Sequence, residues 1–325
     1  MNITLNDISK EYVITEKGNT IFKKNKRRIQ ALKNVSFEIK SGEVCGLIGL
    51  NGAGKSTLTK LLCGVLSETS GEIQLTRNGE KISAEEQKKY ISVIFGHRGQ
   101  LWNDLQVIDS YDIISRIYEI PKKEFNKRLE WLDGMLQLNE LIQRPARQLS
   151  LGQRMKCEIA GSLLNMPEIL LLDEPTIGLD ILTKEKIYNV IKEIHKETGN
   201  TIILTSHDLR DVGELCERIL ILNKGELIFD GLLSSLYEEY ATEYIINIKT
   251  AGISPAQADI SSLLNSYKDS IRNVECKDNN ICIYVDKEDN SVPFKIMEIL
   301  EQTLSPEDFS LSSAGFEQII RNIYA

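Results

Sequence analysis

Continuously apolar runs and segments of helically spaced apolar residues take turns along the middle of the chain. The runs predict buried strands at residues 44–48, 91–95, 169–174 and 201–206. Helices are predicted from residue 58 and over about residues 183–197, because apolar positions recur there at helical intervals. This alternation of strands and helices predicts an α/β fold.

The segments around these runs have other patterns. Three of them also read as strands, at residues 2–13, 31–39 and 71–76, the last followed by a polar loop. Residues 107–143 carry apolar residues at helical spacing, and Pro121 separates the two parts. We therefore expect an inserted helical subdomain at about residues 100–160.

The last quarter of the chain carries a separate pattern. Its elements are predicted in the order β-α-β-β-α-β, at residues 243–249, 256–267, 270–276, 280–286, 293–304 and 307–311, before a last helix. This is the order of the ferredoxin-like, split βαβ arrangement. We expect residues 1–232 to form one domain and residues 233–325 a small α+β accessory domain. A dimerisation or regulatory role and inert packing are both open for the second domain.

Length and composition fit this division. A chain of 325 residues has room for about two domains, and 42% hydrophobic with 26% charged residues is typical of a globular protein. No apolar run approaches the ~18–20 residues of a membrane span, and the first residues lack a basic and then apolar signal segment. We expect the chain to stay in the cytoplasm.

Charge and cysteine usage narrow the possible partners. The net charge of −8 argues against broad affinity for nucleic acid. The densest positive run, residues 23–28, is either a solvated loop or a surface facing anionic lipid or an acidic partner. The six cysteines lack C-x-x-C spacing, so we expect buried free thiols rather than a zinc site.

The strongest chemical signal follows the strand at 44–48. Residues 49–57 fit the pattern G-x-x-x-x-G-K-[ST], and a helix follows directly. Glycines in this loop let backbone N–H groups turn toward a triphosphate, and the helix adds its positive end. Lys55 is expected to reach the β- and γ-phosphates, and the Ser56 hydroxyl to ligate Mg²⁺.

Other strand ends supply further candidates. Asp173 and Glu174 end a buried strand, which is costly unless a cation or hydrogen bonds compensate. We expect Asp173 to hold Mg²⁺ through water and Glu174 to orient and deprotonate the attacking water. His207 ends another strand and is expected to contact the γ-phosphate. Tyr12 either stacks on adenine or packs as an edge-strand tyrosine.

With Ser150-Leu151-Gly152-Gln153 directly before a helix, residues 2–232 resemble the ATP-binding cassette ATPases, the nucleotide-binding subunits of ABC transporters. The resemblance implies a RecA-like P-loop core with an antiparallel β subdomain and the inserted helical subdomain. It also implies a head-to-tail dimer, in which the signature of one subunit closes over the ATP bound by another. Leu151 stands where glycine is usual, and we expect function to survive because its side chain can point away.

The resemblance also assigns roles to individual residues. The positions that match the family's ATP contacts are Tyr12, Gly49, Asn51, Gly52, Ala53, Gly54, Lys55, Ser56, Thr57, Ser150, Gly152, Gln153 and Asp180. The catalytic positions are Glu174, His207 and Lys55, and the metal-binding positions include Ser56 and Asp173.

The glutamine that senses Mg²⁺ in this family has two rival candidates here. Counting back from Leu101 puts His97 in its place, and Gln100 follows three residues later. A neutral imidazole accepts a hydrogen bond from a metal-bound water but is a poor Mg²⁺ ligand. His97 and Gln100 therefore both stand as predicted metal-site residues.

Residues 95–105 are similar to the F-G-x-R-x-Q-L-W-x-D-L pattern of a bacterial exporter subfamily that pairs with ABC-2 type permeases, and residues 23–28 are similar to its basic insertion. We predict an ATPase subunit that uses ATP and Mg²⁺ on the inner face of the cell membrane. Its expected partners are ABC-2 type permease subunits and a second copy or a homologous ATPase subunit, without nucleic acid.

Two alternatives come from other classes of protein. One is a soluble cassette ATPase acting on ribosomes or DNA, which the single cassette and the acidic balance disfavour. The other is a non-hydrolysing scaffold, which the presence of Lys55, Asp173 and Glu174 disfavours.

Overall fold

The structure is a computed structural model that describes residues 1–17, 24–96, 99–206, 208–241, 243–250, 257–287, 289–304, 306–313 and 316–324. The chain divides into two compact units, Met1–Leu233 and Ser234–Ala325. The boundary expected from the sequence differs from this division by one residue. Within the described residues, no helix is both long and apolar enough to cross a bilayer.

The first unit combines an antiparallel sheet, a mostly parallel sheet and helices. In chain order its elements are β1 (Asn2–Lys17), β2 (Lys24–Ile39), β3 (Val44–Gly49), α1 (Lys55–Leu62), β4 (Ser70–Arg77), β5 (Glu80–Lys81), α2 (Ala84–Tyr90), β6 (Ile91–Phe95), α3 (Val107–Ile117), α4 (Lys122–Leu136), α5 (Leu151–Leu163), β7 (Ile169–Asp173), α6 (Ile181–Thr198), β8 (Thr201–Thr205), α7 (Leu209–Leu215), β9 (Arg218–Asn223) and β10 (Glu226–Leu232).

The larger sheet has six strands in the order β10-β9-β3-β8-β7-β6. Its last five strands run parallel to one another, and β10 pairs antiparallel with β9. All five residues of β8 and the first four of β7 are buried. Strands buried on both faces have no polar face, which explains why the sequence shows continuous apolar runs at these positions.

The smaller sheet has the order β2-β1-β4-β5. β1 pairs with β4 only from Asn2 to Ser9, whereas its pairing with β2 continues to Lys17. The strands predicted at residues 2–13 and 31–39 were therefore too short, because β1 extends to Lys17 and β2 begins at Lys24, and the two form a two-stranded ribbon. Among residues 10–17 and 24–31 of the ribbon, none whose burial is described is buried, so the sequence there lacks the alternation that marks a half-buried strand.

The polar loop predicted before β6 was also wrong. It contains the short strand β5 and the helix α2, which has no buried residue. A helix without a buried face carries no apolar stripe. Its one local signal is a capping box, in which the Ser83 side chain accepts from the Glu86 backbone N–H and Glu86 accepts from that of Ser83.

Helices α3, α4 and α5 lie in the region where the sequence predicts an inserted helical subdomain. Tyr111 of α3 is fully buried, and its hydroxyl donates to the Cys157 carbonyl of α5 at 2.8 Å. Leu132 and Leu136 on α4 are buried as well. These contacts give α5, whose first turn carries the signature residues, a packed support.

One hydrophobic core joins the two sheets of the first unit. It includes Leu5 and Val35 of the smaller sheet, Leu47 and Leu171 of the larger sheet, and Leu58 of α1. Truncating a buried leucine of this kind to alanine costs about 2–5 kcal/mol. The helix that follows the phosphate-binding loop is thus anchored in the main core.

The six cysteines are free thiols. Cys45, Cys157 and Cys216 are buried, as expected, whereas the other three are half-buried. Burial raises the pKa of the Cys45 thiol to about 12.

The second unit follows the order predicted from the sequence. Helix α8 (Leu233–Tyr240) spans the boundary, and the unit continues with β11 (Glu243–Lys249), α9 (Gln257–Leu263), β12 (Ile271–Lys277), β13 (Asn280–Asp286), α10 (Val292–Leu304), β14 (Asp308–Ser313) and α11 (Phe316–Tyr324). The antiparallel sheet has the order β12-β13-β11-β14, as in the split βαβ arrangement. Ile246, Ile283 and Ile296 lie in its own separate core.

Candidate nucleotide-binding site

The candidate site lies where the parallel strands of the larger sheet end. Phe95 pairs with Asp173, and Asp173 pairs with Thr205, so β6, β7 and β8 end at the same level. Leu47 of β3 pairs with Thr205 as well, which places the loop after Gly49 at the same edge. The carboxyl ends of parallel strands are the usual ligand-binding edge of an open α/β sheet.

The loop between β3 and α1 has the geometry that its glycines predict. Gly54 precedes the first helical residue with a φ of 111°, a left-handed conformation that other residues rarely adopt. Its carbonyl accepts the Leu58 N–H at 2.9 Å, so the helix forms directly behind the loop. Asn51, Gly52 and Ser56 are exposed. The free N–H groups of the first helical turn point to this loop and favour an anion there.

Lys55 is 7% exposed at the base of the loop. Its ammonium donates to the Gly49 carbonyl at 2.6 Å and lies 3.4 Å from the Leu50 carbonyl. Burial lowers the pKa of Lys55 from its usual value, and the carboxylates of Glu174 and Asp173 act in the opposite direction. Lys55, which is predicted to bind the phosphates, therefore interacts electrostatically with both Asp173 and Glu174.

The two carboxylates differ in how they are held. Asp173 accepts a hydrogen bond from the Thr205 hydroxyl at 2.5 Å through one of its two oxygens. Glu174 has a φ of 54°, and its N–H donates to the Thr205 carbonyl at 3.0 Å. A non-glycine residue in the left-handed region is strained by about 1–3 kcal/mol, and such strain clusters at functional sites. The left-handed backbone at Glu174 ends the extended conformation of β7 directly after Asp173.

Gly96 is a site residue that the sequence analysis did not single out. Its N–H donates to the Asp173 carbonyl at 2.7 Å. A Cβ atom built at this position would lie 2.3 Å from the Glu174 carbonyl oxygen and 3.1 Å from that of Asp173. The chain leaving β6 thus passes directly against the backbone of the carboxylate pair. The signal in the sequence was a glycine immediately after a buried strand.

Tyr12 lies half-buried on the ribbon part of β1. Its hydroxyl is 3.4 Å from the Thr57 hydroxyl of α1, and the Lys10 ammonium is 5.7 Å from the centre of its ring. The structure therefore brings the predicted adenine-contacting ring to the helix that follows the phosphate-binding loop. Its stacking on adenine stays a prediction.

The signature residues form the first turn of α5. Ser150 caps the helix, with its side chain accepting the Gln153 N–H at 3.3 Å while the Gln153 side chain accepts the Ser150 N–H at 3.0 Å. Because the Ser150 oxygen accepts in this capping box, its hydroxyl proton is left to donate to another group. A Cβ at Gly152 would lie 2.5 Å from Thr183 Cγ2, so this turn contacts the start of α6.

Leu151 is 47% exposed, and a Cβ on Gly178 would lie 3.2 Å from its Cδ2 atom. Its side chain therefore faces the loop between β7 and α6. Asp180 in that loop caps α6, accepting from the Thr183 N–H at 3.0 Å and from the Thr183 hydroxyl at 2.6 Å. These hydrogen bonds lower the pKa of Asp180. Its described role is a helix cap, and a contact with a partner's nucleotide stays a prediction.

A buried carboxylate, Asp211, joins the loops after β7 and β8. It is 1% exposed and accepts from the Thr176 hydroxyl at 2.5 Å and from the Ser206 hydroxyl at 2.6 Å. The Tyr188 hydroxyl also donates to it, and the Lys184 ammonium lies 3.3 Å away. Sequence analysis missed this residue because an aspartate in a short helix carries no local sign of burial.

The Asp211 network lies beside the catalytic candidates. The Ser206 hydroxyl accepts the Asp208 N–H at 2.9 Å, and Asp208 pairs with Lys184 at 2.5 Å. Glu174, Lys184, Asp208 and Asp211 border one cavity of about 130 Å³. His207 lies outside the described residues. The Asp211 network holds Ser206 and Asp208, the residues directly before and after position 207, by hydrogen bonds and an ion pair.

Of the two residues predicted as rivals for the metal site, the structure describes only Gln100. His97 lies outside the described residues. The Gln100 side-chain amide donates to the Val93 carbonyl, two residues back from the end of β6. Two residues of strand span about 6–7 Å, so this hydrogen bond draws the Gln100 amide back from the edge where Asp173 lies.

Oxygen ligands suited to Mg²⁺ are present at the edge. Among the described residues, no cluster of three or more histidine, cysteine or acidic side chains has metal-binding geometry. Mg²⁺ usually takes only one or two protein oxygens, with the remaining positions filled by substrate phosphates and water. The exposed Ser56 hydroxyl and the second oxygen of Asp173 fit this pattern.

Comparison with known families matches residues 32–177 to the family described as ABC transporter. The matched stretch begins in β2 and runs past Glu174, so it contains the phosphate-binding loop, the signature turn and both carboxylates. The fold is that of an ATP-binding cassette ATPase.

Relatives and solved structures agree with this class. ABC transporter ATP-binding protein NatA of Bacillus subtilis (strain 168) is 32% identical over 241 residues, which cover 74% of this chain and 94% of NatA. A methionine import ATP-binding protein MetN of Carboxydothermus hydrogenoformans is 32% identical over 65% of this chain and 64% of its own length. The ABC-type organic anion transporter ABCA8B of Mus musculus is 29% identical over 96% of this chain, which spans only 19% of that protein.

Among solved structures, the dimeric post-hydrolysis state of the ATP-binding cassette MJ0796 with ADP and Pi has a TM-score of 0.60 at 28% identity, covering 71% of this chain and 98% of that one. The chain belongs to the ABC transporter family of ATP-binding proteins. It is an ATP-binding subunit of a transporter and hydrolyses ATP. These similarities confirm the family, the fold class and the ATPase activity predicted from the sequence.

Replacing Gly96 by alanine tests the close approach at the carboxylate pair. The added Cβ cannot fit 2.3 Å from the Glu174 carbonyl, so the backbone must shift. A displacement of about 1 Å at a catalytic group costs on the order of 10²-fold in rate, and we expect ATP turnover to fall at least about tenfold. Gly134→Ala in α4 is the control, because a Cβ there has no neighbour within 4 Å. Equal ATP turnover in the Gly96→Ala and Gly134→Ala variants contradicts the assignment of Gly96 as a site residue.

Replacing Asp211 by asparagine tests the buried network. The change puts an N–H donor among hydroxyl and ammonium donors and leaves Lys184 with one fewer charge partner. We expect the free energy of unfolding of the first unit to fall by about 3 kcal/mol in urea titrations. Glu214→Gln, on the exposed side of α7, is expected to cost less than about 1 kcal/mol. A loss no larger than that of the control counts against the network.

Proposed function

We propose that this subunit powers export through separate ABC-2 type membrane subunits. The observation that carries the proposal is the stretch from Phe95 to Leu105, which is similar to the pattern of exporter ATPases with such permeases. Matches to transporters named sub-family A extend over nearly the whole chain, 98% in one case, whereas matches to methionine import proteins cover about two thirds. This difference supports a relationship closer to the former.

The proposed reaction is in-line attack of water on the γ-phosphate of ATP. Glu174 orients the water and takes its proton, and Lys55 leaves its own loop carbonyls to bind the β- and γ-phosphates. His207, which follows β8 in the sequence, contacts the γ-phosphate. Mg²⁺, held by Ser56 and Asp173, supplies positive charge against the phosphate oxygens when bound. Tyr12 stacks on the adenine ring.

The second half of the proposal is a head-to-tail dimer. The Ser150 hydroxyl and the N–H groups of the first α5 turn form an anion site on the surface that the chain's own phosphate loop does not fill. A phosphate of ATP bound to another subunit would complete it, as the dimeric MJ0796 cassettes suggest by resemblance. ATP would then hold two subunits together, and hydrolysis would release them.

The proposal also covers where the subunit lies in the cell and what its C-terminal domain does. The subunit lies on the inner face of the cell membrane, held there by its permease partners. The accessory domain expected at residues 233–325 serves dimerisation or regulation, since no catalytic constellation is evident in its sequence.

Glu174→Gln is expected to lower ATP turnover by at least about 100-fold, because a general base contributes 10²–10⁴-fold. The uncharged side chain keeps its shape, so ATP-dependent dimerisation is expected to persist and to be visible by sedimentation. Glu185→Gln, an exposed change on α6, is the matched control. Near-normal turnover in the Glu174 variant would end the general-base assignment.

Purification from membranes tests the transport role. We expect the tagged chain to co-purify with multi-span proteins and to leave the membrane fraction when their genes are deleted. Accumulation of a cargo inside such deleted cells supports export, whereas loss of uptake would assign import. Recovery with ribosomes or DNA instead would favour the soluble alternative.

A further inference from the structure

Glu158 is a buried carboxylate for which the proposed reaction has no use. It lies on α5, eight residues after the signature serine, and is 4% exposed. Burial raises its pKa above the usual range, although hydrogen bonds from Gln100 and Leu101 and the charge of Arg154 act against this rise. Burying a carboxylate is costly, so packing alone does not explain its presence.

The backbone after β6 encloses this carboxylate. The Gln100 N–H donates to Glu158 Oε2 at 2.6 Å, and the Leu101 nitrogen lies 3.5 Å from Oε1. Arg154 Nε, one turn earlier on α5, lies 3.4 Å from the same oxygen. A Cβ on Gly99 would lie 2.0 Å from Oε1 and 2.6 Å from a guanidinium nitrogen of Arg154, so any other residue here must displace the carboxylate or the loop. The contact therefore depends on residues of both the loop and the helix.

The same loop touches the catalytic edge at its other end. Gly96, three residues before Gly99, donates to the Asp173 carbonyl at 2.7 Å. Gly96 at the carboxylate pair and residues 99–101 beside the middle of α5 are thus separated by only two positions in the sequence. A helix is stiff over this length, and eight residues rise about 12 Å. A shift of the loop at Glu158 therefore moves the Ser150 end of α5 as well.

We propose that Glu158 is a positioning residue that ties residues 99–101 to α5, so that the orientation of the signature turn follows the state of the chain's own Asp173–Glu174 edge. The inference rests on the proposed dimer mechanism. It adds a contact through which the chain's own nucleotide-binding edge affects the signature turn that it presents to a partner. The ammonium of Lys55 and the bound phosphates act at one end of this connection, and the partner's phosphate at the other.

Glu158→Gln tests the connection in a Glu174→Gln background that holds ATP without hydrolysis. Glutamine has nearly the same shape, but its NH₂ group faces backbone N–H and guanidinium donors, so the contact is lost. We expect ATP affinity of the monomer to stay within about twofold, and ATP-dependent dimerisation to weaken roughly tenfold. Nucleotide titration at low protein concentration and sedimentation at saturating ATP measure the two quantities separately.

A second variant reaches the same contact from the loop. Gly99→Ala pushes a Cβ into the Glu158 carboxylate and is expected to weaken dimerisation in the same way. If Glu158→Gln and Gly99→Ala act through the same contact, the double variant dimerises no more weakly than the weaker of the two single variants. Gly99→Ala alone carries the test if Glu158→Gln fails to fold, as judged by circular dichroism. Glu130→Gln, exposed on α4, controls for the loss of one charge.

Amide hydrogen exchange gives an independent readout. The Gln100 amide is expected to exchange slowly in the parent chain and faster in Glu158→Gln. Unchanged dimerisation in a folded variant overturns the inference, and so does an equal loss of monomer affinity, which would mean general damage. If the Glu174→Gln parent itself does not dimerise with ATP, the proposed dimer mechanism fails and the inference fails with it. A parent that dimerises beside an unaffected variant removes the inference alone.

Discussion

The parallel register of β6, β7 and β8 is the constraint on which the candidate site depends. Phe95, Asp173 and Thr205 pair side by side, and β3 ends next to them. Two backbone hydrogen bonds then cross between the departing loops, from Gly96 to Asp173 and from Glu174 to Thr205. The positions of the loops are therefore set by main-chain bonding, and the side chains project from a frame that is already fixed.

Carboxylates buried behind this frame connect the loops that must act together. Asp211 joins the loop carrying Thr176 to the residues around position 207, and Glu158 joins the loop after β6 to α5. The signature turn also contacts the start of α6 at Thr183, which Asp180 caps. Each of these contacts joins two elements of the candidate site.

The sequence predicted many elements from the periodic or continuous apolar pattern that burial leaves, although the buried strand β9 was missed. The four strands of the site edge and the order of the second unit were found in this way, and the P-loop and signature residues were recognisable from local spacing. The helix α2 and the ribbon of β1 and β2 were missed, because exposed elements bury no face. Gly96, Glu158 and Asp211 were not identified either, since their importance lies in contacts with residues far away in the chain. The order of strands within each sheet is likewise a tertiary property.

The β1–β2 ribbon has a consequence for how copies of this protein meet in a crowded solution. Beyond Ser9, β1 no longer pairs with β4, and exposed strand edges of this kind are templates for pairing with another chain. Val13 and Ile14 are both exposed there, which would add to such pairing. Arg27 and Arg28 on the adjacent strand are exposed and give every copy the same positive charge there. Their mutual repulsion protects the ribbon from edge-to-edge aggregation while leaving it open to an acidic surface.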